Sequence, residues 1–516
     1  MKKWIYAAAF TSGFASLATE MAASRLLGNY FGASNLVWSA IIGLILIYLT
    51  VGYFIGGRWA DKSPRTDTFY TILAIAGFTT GLIPLVSRPI LNYAANAFNE
   101  FQFGVLMGTF VSVLLLFILP VILMGTASPF AIRLLIQDTS DAGKTAGRVY
   151  AVSTLGSFLG AFVPTLLLIP WIGTFRSFAA IGLILNVIAI AALFFSRSIK
   201  RAVILVPSLL ILLAILALGK QGFERPTAGL IYENESAYNY IQVIADGEDR
   251  YLKLNEGQGV HSVYTSEVMF YNGPWEQVLV APYFNDRFIE PAEVRSMAIV
   301  GLAAGTTSRQ AFSVYPNIRI LGIEIDPVII DVGNRYFDMD DTRLTTQVQD
   351  GRWALTKDDQ KYQIISIDAY RPPYIPWHLT TKEFFEIVKE HLTVDGVAVI
   401  NVGRSPDDRS LVNALAATAG SVFTSVHVVD LPQSLNSIVF ATVQETSPEN
   451  LIRNYAQIMN DEQFPLMLRK SMANAIENLQ PEPVTGGYIF TDDDAPIERF
   501  TNRLVLNYFF SRGVQP

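Results

Sequence analysis

Between residues 295 and 403 the apolar runs end, one after another, on glycine or on an acid. "SMAIVGLAAG" closes with Gly301 and Gly305, "IRILGIEID" with Glu324 and Asp326, "LTTQVQDG" with Asp350 and Gly351, and "YQIISID" with Asp368. Small residues in a turn let the backbone approach a ligand, and a following helix N-terminus favours electronegative groups. An acid about twenty residues after such a turn can accept both hydroxyl protons of a ribose, which selects Glu324. Asp350 could accept from an adenine amino group, with Gly351 allowing close approach, and Asp368 could take a proton from an amine. A strand-end cap, a plain turn and a helix cap are the simpler alternatives for the same three acids.

A second polar stretch, "LNEGQGVHSVYTSE", brings together Glu256, His261 and Tyr264. His261 could exchange protons near neutral pH, or simply be hydrogen-bonded in a hairpin. His378, His391 and His427 lack ligand-like spacing, so no metal site is expected. The absence of cysteine excludes disulfides, thiolate metal sites and thiol nucleophiles. No phosphate-binding P-loop or serine nucleophile elbow is found. A net charge of −7 and a pI near 5.3 argue against a nucleic-acid partner. In the tail, "IFTDDDAPIERF" is expected to start a helix capped by Asp494, with Asp492 and Asp493 left over in a segment that could close over a cleft.

The elements that must position these groups follow from hydrophobic periodicity. From 290 to 445, strands alternate with helices as in a doubly wound parallel sheet, whose ligands sit at the carboxyl ends of the strands. Ahead of it, "YNYIQVIADGEDRYLKL" alternates around Asp246-Gly247 as a β-hairpin does, giving a small β-rich lead-in over 226–285. Residues 446–516 are expected to form a C-terminal helical tail. Residues 1–222 are different: uncharged runs at 4–19, 26–57, 68–87, 101–132, 149–175, 177–196 and 202–219 predict about seven transmembrane helices. A mean hydropathy of +0.34 agrees with a multi-pass location in the cell membrane. Lys and Arg number 11 at the N-terminus and in the second, fourth and sixth loops, against Arg25, Arg88 and Arg176 in the others. That bias puts the N-terminus inside and, with seven crossings, the soluble half outside. If 202–219 does not cross, the soluble half returns to the cytoplasm. Gly156 and Gly160, four apart, predict a close helix contact.

On the residues just quoted, the second half resembles the spermidine synthase family of aminopropyltransferases, in its membrane-fused bacterial branch. The resemblance implies a Rossmann-like fold of the class I methyltransferase type behind a small β-domain. It also implies aminopropyl transfer from decarboxylated S-adenosylmethionine, a co-substrate rather than a tightly bound cofactor, to an amine. By the same resemblance Gly301, Gly305, Glu324, Asp350, Gly351 and Asn239 contact the donor, and Asp368 is the general base. Glu256, His261, Tyr264 and Arg371 would border the substrate. Departures are clear: the family's GGGDG loop is "GLAAG" here, with Ala304 for the aspartate that holds the aminopropyl amine, and Arg371 stands for a second active-site aspartate. A guanidinium beside a dicationic diamine repels it by about 1 kcal/mol in water and about 4 at an effective dielectric near 20.

Two alternatives stay open. An enzyme of the same fold outside the cytoplasm could act without that donor on a peptide or lipid-linked group, through Asp368, Glu256 and His261. A transporter-like, ligand-sensing protein is suggested by Glu20 and Arg25 in the first helix and by the "GGRWADKSPR" loop, which resembles a cytoplasmic loop of major facilitator transporters. The expected partners are the lipid bilayer and a small-molecule amine or other substrate, with a homodimer as a further option.

Overall fold

The computed structural model describes residues 2–31, 35–98, 102–136, 138, 141–219, 227–255, 259–267, 270–369, 375–406, 408–480, 487–501 and 503. The chain divides into two compact units, Met1–Thr227 and Ala228–Pro516.

The first unit is helical: α1 (Lys2–Phe31), α2 (Asn35–Lys62), α3 (Thr66–Phe98), α4 (Gln102–Gly125), α5 (Ala127–Leu135), α6 (Ala142–Val163), α7 (Ile169–Phe195) and α8 (Ile199–Leu218). Among the described residues, five stretches are long and apolar enough to cross a membrane, fewer than the seven runs counted in the sequence. There are two reasons. Helix α1 buries mostly Ala, Ser, Thr and Gly, so it is less apolar than its neighbours. Helices α6 and α7 join through a π-helical turn, Pro164–Leu168, into a single 54-residue run. At 1.5 Å per residue such a run is about 80 Å long, far beyond the roughly 30 Å hydrocarbon layer. It breaks at Gly173, where φ +76° and ψ 165° leave helical space. Small residues explain the tightest contact: a Cβ at Gly156 would lie 2.0 Å from the Phe10 carbonyl oxygen, and one at Gly13 2.2 Å from that of Ser153. Helices α1 and α6 therefore approach through backbone, as the spacing of Gly156 and Gly160 predicts.

In the second unit, β1 (Leu230–Glu235), β2 (Tyr240–Asp246), β3 (Asp249–Leu254) and β4 (Val260–Tyr264) form an antiparallel sheet in that order. The β2–β3 hairpin turns at Gly247, whose φ of +61° suits glycine. Beyond it the wall of a larger domain begins. The 3-10 run Glu276–Phe284 is buried throughout and packs in the larger domain's core rather than on the small sheet.

The larger domain alternates β5 (Ser296–Val300), α9 (Thr306–Val314), β6 (Arg319–Glu324), α10 (Pro327–Tyr336), β7 (Leu344–Val348), α11 (Gly351–Lys357), β8 (Tyr362–Ile367), α12 (Lys382–Glu390), β9 (Leu392–Gly403), α13 (Ser410–Gly420), β10 (Ser425–Asp430) and β11 (Asn436–Thr442). Its seven strands lie in the order β10-β11-β9-β8-β5-β6-β7. The sheet is mixed, not wholly parallel as the alternation suggests. Strand β11 runs antiparallel to both β9 and β10. The connection from Asp430 to Asn436 is too short for the crossover that a parallel pair needs. Strand β5 pairs with β6 on one side and β8 on the other, so the winding reverses there. A crevice forms at such a switch point. Helices α14 (Pro448–Ile458) and α15 (Leu466–Glu477) pack on the core face that holds the 3-10 run.

Candidate active site

The crevice is built by the first turn of the larger domain. After β5 the chain passes through Gly301 (φ +92°), Ala303 (φ +49°) and Gly305 (φ +83°) before entering α9. At Gly301 the requirement is double: φ is positive, and a Cβ would fall 2.5 Å from the Asp368 carbonyl oxygen. The glycine thus allows the ends of β5 and β8 to meet. Gly305 serves another purpose. It lines neither of the two chambers described below, and a Cβ there would press on Met339 at 2.6 Å, so packing and the helix entry by themselves call for a glycine.

Two chambers open at the strand ends. The first, of about 230 Å³, is lined by Glu324, Asp350, Gly351 and Asn239 among others. The second, of about 380 Å³, is lined chiefly by amides, hydroxyls and aromatic rings, including Trp275, Asn401 and Asn436. Four residues line both, namely His261, Gly301, Ala303 and Asp368, and so form the neck.

Glu324 ends β6 and is 8% exposed. Its two carboxylate oxygens accept from the backbone N–H of Ala303 (3.0 Å) and of Asp326 (3.1 Å). Burial outweighs these bonds and pushes its pKa up to about 7. Asp326, fully buried, caps α10 by accepting from Val328 N and also takes the Asn239 amide at 3.0 Å. Asn239 is thereby fixed at the chamber wall, and its own oxygen accepts from Asn255.

Asp350 caps α11, one oxygen accepting from Trp353 N at 3.0 Å, while the other meets His378 Nε2 at 2.8 Å. Gly351 lines the same chamber, yet a Cβ there would lie 2.4 Å from Val300 Cγ1, so packing alone demands a glycine.

Asp368 follows β8 and is half-buried. Asn401, at the carboxyl end of β9, donates to its Oδ1 at 2.9 Å and in turn accepts from Asn436 at 2.8 Å. Burial raises the Asp368 pKa to about 6, against the lowering effect of the Asn401 bond. His261 Nε2 is buried without a hydrogen-bond partner among the described residues, and burial drops its pKa to about 4, so the imidazole at the neck is neutral. It is therefore not the near-neutral proton exchanger that its residue type suggests.

Two further expectations are corrected. Tyr264 lines neither chamber; its ring packs against the small sheet's core and lies 4.3 Å from the Arg309 guanidinium, a cation–π stack. Ala304 packs among Ile241, Val243, Leu252 and Phe337 in the small sheet's core, so the alanine that faces the neck is Ala303. Glu256 and Arg371 lie outside the described residues. In the tail, Asp494 takes the Tyr488 hydroxyl instead of capping a helix, whereas Asp492 grips Arg352 through two bonds of 2.7 Å and accepts from Thr381. The tail is thus tied to α11 and α12 beside the first chamber.

Sequence reasoning passed over His378 and Asn401. Nothing in linear spacing marks His378, 28 residues from Asp350. Asn401 was accessible: a lone amide at the carboxyl end of the apolar run "GVAVINVG" obeys the same strand-end rule that selects Asp368.

Residues 288–455 match the family described as "Spermine/spermidine synthase domain". The matched region is similar to that family and spans the strands of the larger domain. Over 290 residues the chain is 31% identical to a "Probable polyamine aminopropyl transferase" of Bifidobacterium longum, covering 54% of this chain and 63% of that protein. Over 297 residues it is 26% identical to a "Polyamine aminopropyltransferase" of Vibrio vulnificus, covering 56% of this chain and 97% of the other. Among solved structures, a probable spermidine synthase from Corynebacterium glutamicum aligns with a TM-score of 0.39 at 20% identity, over 48% of this chain and 95% of that one.

Proposed function

We propose that the protein is a membrane-bound aminopropyltransferase that uses decarboxylated S-adenosylmethionine as donor and an amine as acceptor. One arrangement carries the reading: Glu324, Asp350 and Asp368 line a single chamber at the switch point of the sheet. Glu324 would hold the ribose hydroxyls, its carboxylate held in place by two backbone N–H groups. Asp350 and His378 would bound the base. The donor's sulfonium would lie at the neck, with the acceptor entering from the second chamber.

In the reaction, the lone pair of the acceptor nitrogen forms a bond to the propyl methylene carbon on sulfur. The carbon–sulfur bond breaks, its electron pair returns to sulfur as the thioether methylthioadenosine, and the nitrogen loses a proton. Asp368 sits at the neck where that proton is released, and a carboxylate with a pKa near 6 is ionised and able to accept it at neutral pH. Calorimetry of the purified protein with methylthioadenosine tests the reading: micromolar binding, lost in Glu324→Ala, supports it, and absence of binding sinks it.

The five long apolar stretches support insertion in the bilayer, with the 54-residue run crossing twice about Gly173. A second reading places the C-terminal unit outside the cytoplasm, acting without this donor on a peptide or lipid-linked group. It is favoured by the Lys and Arg bias and by Asp350, both of whose oxygens are already engaged. A reporter fused after Pro516 separates the two, because the adenosyl donor is supplied from the cytoplasm.

A further inference from the structure

The second chamber has a wall chemistry that bears on the acceptor. Among the described residues that line it, Asp368 is the sole carboxylate and no lysine or arginine is present. The wall is otherwise polar but neutral, with Asn272, Thr307, Gln433, Ser434 and Asn436 supplying amides and hydroxyls. Behind the wall lies one more acid, Glu276. It does not line the chamber, because it is fully buried and holds Gly273 N at 2.8 Å and Gln310 Nε2 at 3.2 Å. The Ser434 hydroxyl is buried with no partner among the described residues. A polar group left unpaired in this way is stabilised by a ligand that hydrogen-bonds to it. Asp368 itself is tied through Asn401 to Asn436, so among the described lining residues a single anionic site serves the space.

We propose that this chamber takes an acceptor with one protonatable amine and a neutral hydrogen-bonding far end, an amino alcohol or amino amide rather than a diamine. The inference rests on the aminopropyltransferase reading and narrows its acceptor. The reacting amine faces Asp368, which takes the proton released as nitrogen bonds to the propyl carbon and sulfur departs with the electron pair. The far end meets amides and hydroxyls. A second ammonium there leaves water without a counter-charge among the described lining residues, which is unfavourable. A terminal carboxylate likewise finds no cation among the described lining residues.

The test uses the full-length protein in detergent, decarboxylated S-adenosylmethionine, and three acceptors of equal chain length: putrescine, the corresponding amino alcohol and the corresponding amino acid. The expected result is a kcat/KM for the amino alcohol about tenfold or more above both others. Equal or better use of putrescine or of the amino acid overturns the proposal, as does transfer to none of the three by protein that binds methylthioadenosine. Failure to bind methylthioadenosine would instead remove the underlying enzymatic reading, so the two failures are distinguishable. Thr307→Asp adds a carboxylate to the wall at the first turn of α9, where an acid is favourable. In protein that still binds methylthioadenosine it should raise the ratio of putrescine to amino alcohol use by about tenfold or more. An unchanged ratio counts against the proposal.

Discussion

Two acids in this site carry separate, testable consequences, Asp368 for the rate and Glu324 for folding. If Asp368 is the proton acceptor proposed above, Asp368→Asn removes it, and about a hundredfold or greater loss of kcat is expected, with methylthioadenosine binding retained in calorimetry. The acidic limb of the kcat/KM profile should rise through about pH 6, the value to which burial lifts Asp368. Because the Asn401 bond lowers that pKa, Asn401→Ala should move the limb to higher pH, and a limb that stays in place would exclude Asp368 as its origin. Glu324 shows the linkage to folding. Its pKa is raised from 4.5 to about 7, so the stability tied to it is full below pH 4.5 and is lost as pH rises through 7. Thermal melts between pH 5 and pH 8 should show this fall, by roughly 1.4 kcal/mol for each pH unit crossed below 7, and Glu324→Gln should flatten it.

At the scale of elements, glycines decide which segments can touch. Gly301→Ala places a methyl group against the Asp368 backbone and forces a positive φ on a residue that resists it. A lowered melting temperature together with loss of methylthioadenosine binding is expected, since the ends of β5 and β8 are pushed apart. Gly156→Leu does the same between α1 and α6, where no room exists for any side chain beside the Phe10 carbonyl. That variant should melt earlier in detergent. The tail behaves differently, because its grip is a half-exposed ion pair. Asp492→Asn should cost about 1 kcal/mol or less. Hydrogen exchange should speed up at residues 487–501 and leave the sheet unchanged, and uniform loosening would refute a local clasp.

For the whole molecule, composition and fold divide at the same place: an apolar helical unit ends at Thr227, and a mixed α/β unit begins at Ala228. Five long apolar stretches predict that the chain stays with membranes after an alkaline wash and needs detergent for release. The charge bias along the helices predicts an N-terminus inside. Reporters fused after Pro516 read out the parity of the crossings, which depends on whether the α6–α7 run turns at Gly173 and whether α8 spans.

The sequence by itself determined the division into an apolar helical half and an α/β half, the hairpin at Gly247, and the acids at successive strand ends. These are periodic or local properties, and hydrophobic spacing carries them directly. It also located Gly156 and Gly160 at a helix contact, because small residues four apart mark one face. Tertiary structure alone decided the antiparallel β11, the engagement of Asp350 by His378, the placing of Ala303 rather than Ala304 at the neck, and the withdrawal of Tyr264 under Arg309. Each depends on which residues distant in the chain come to face one another, and a one-residue change of direction in a turn reverses which side chain meets the ligand. The neutral state of His261 belongs to the same class, since its pKa follows from burial, which linear order does not encode.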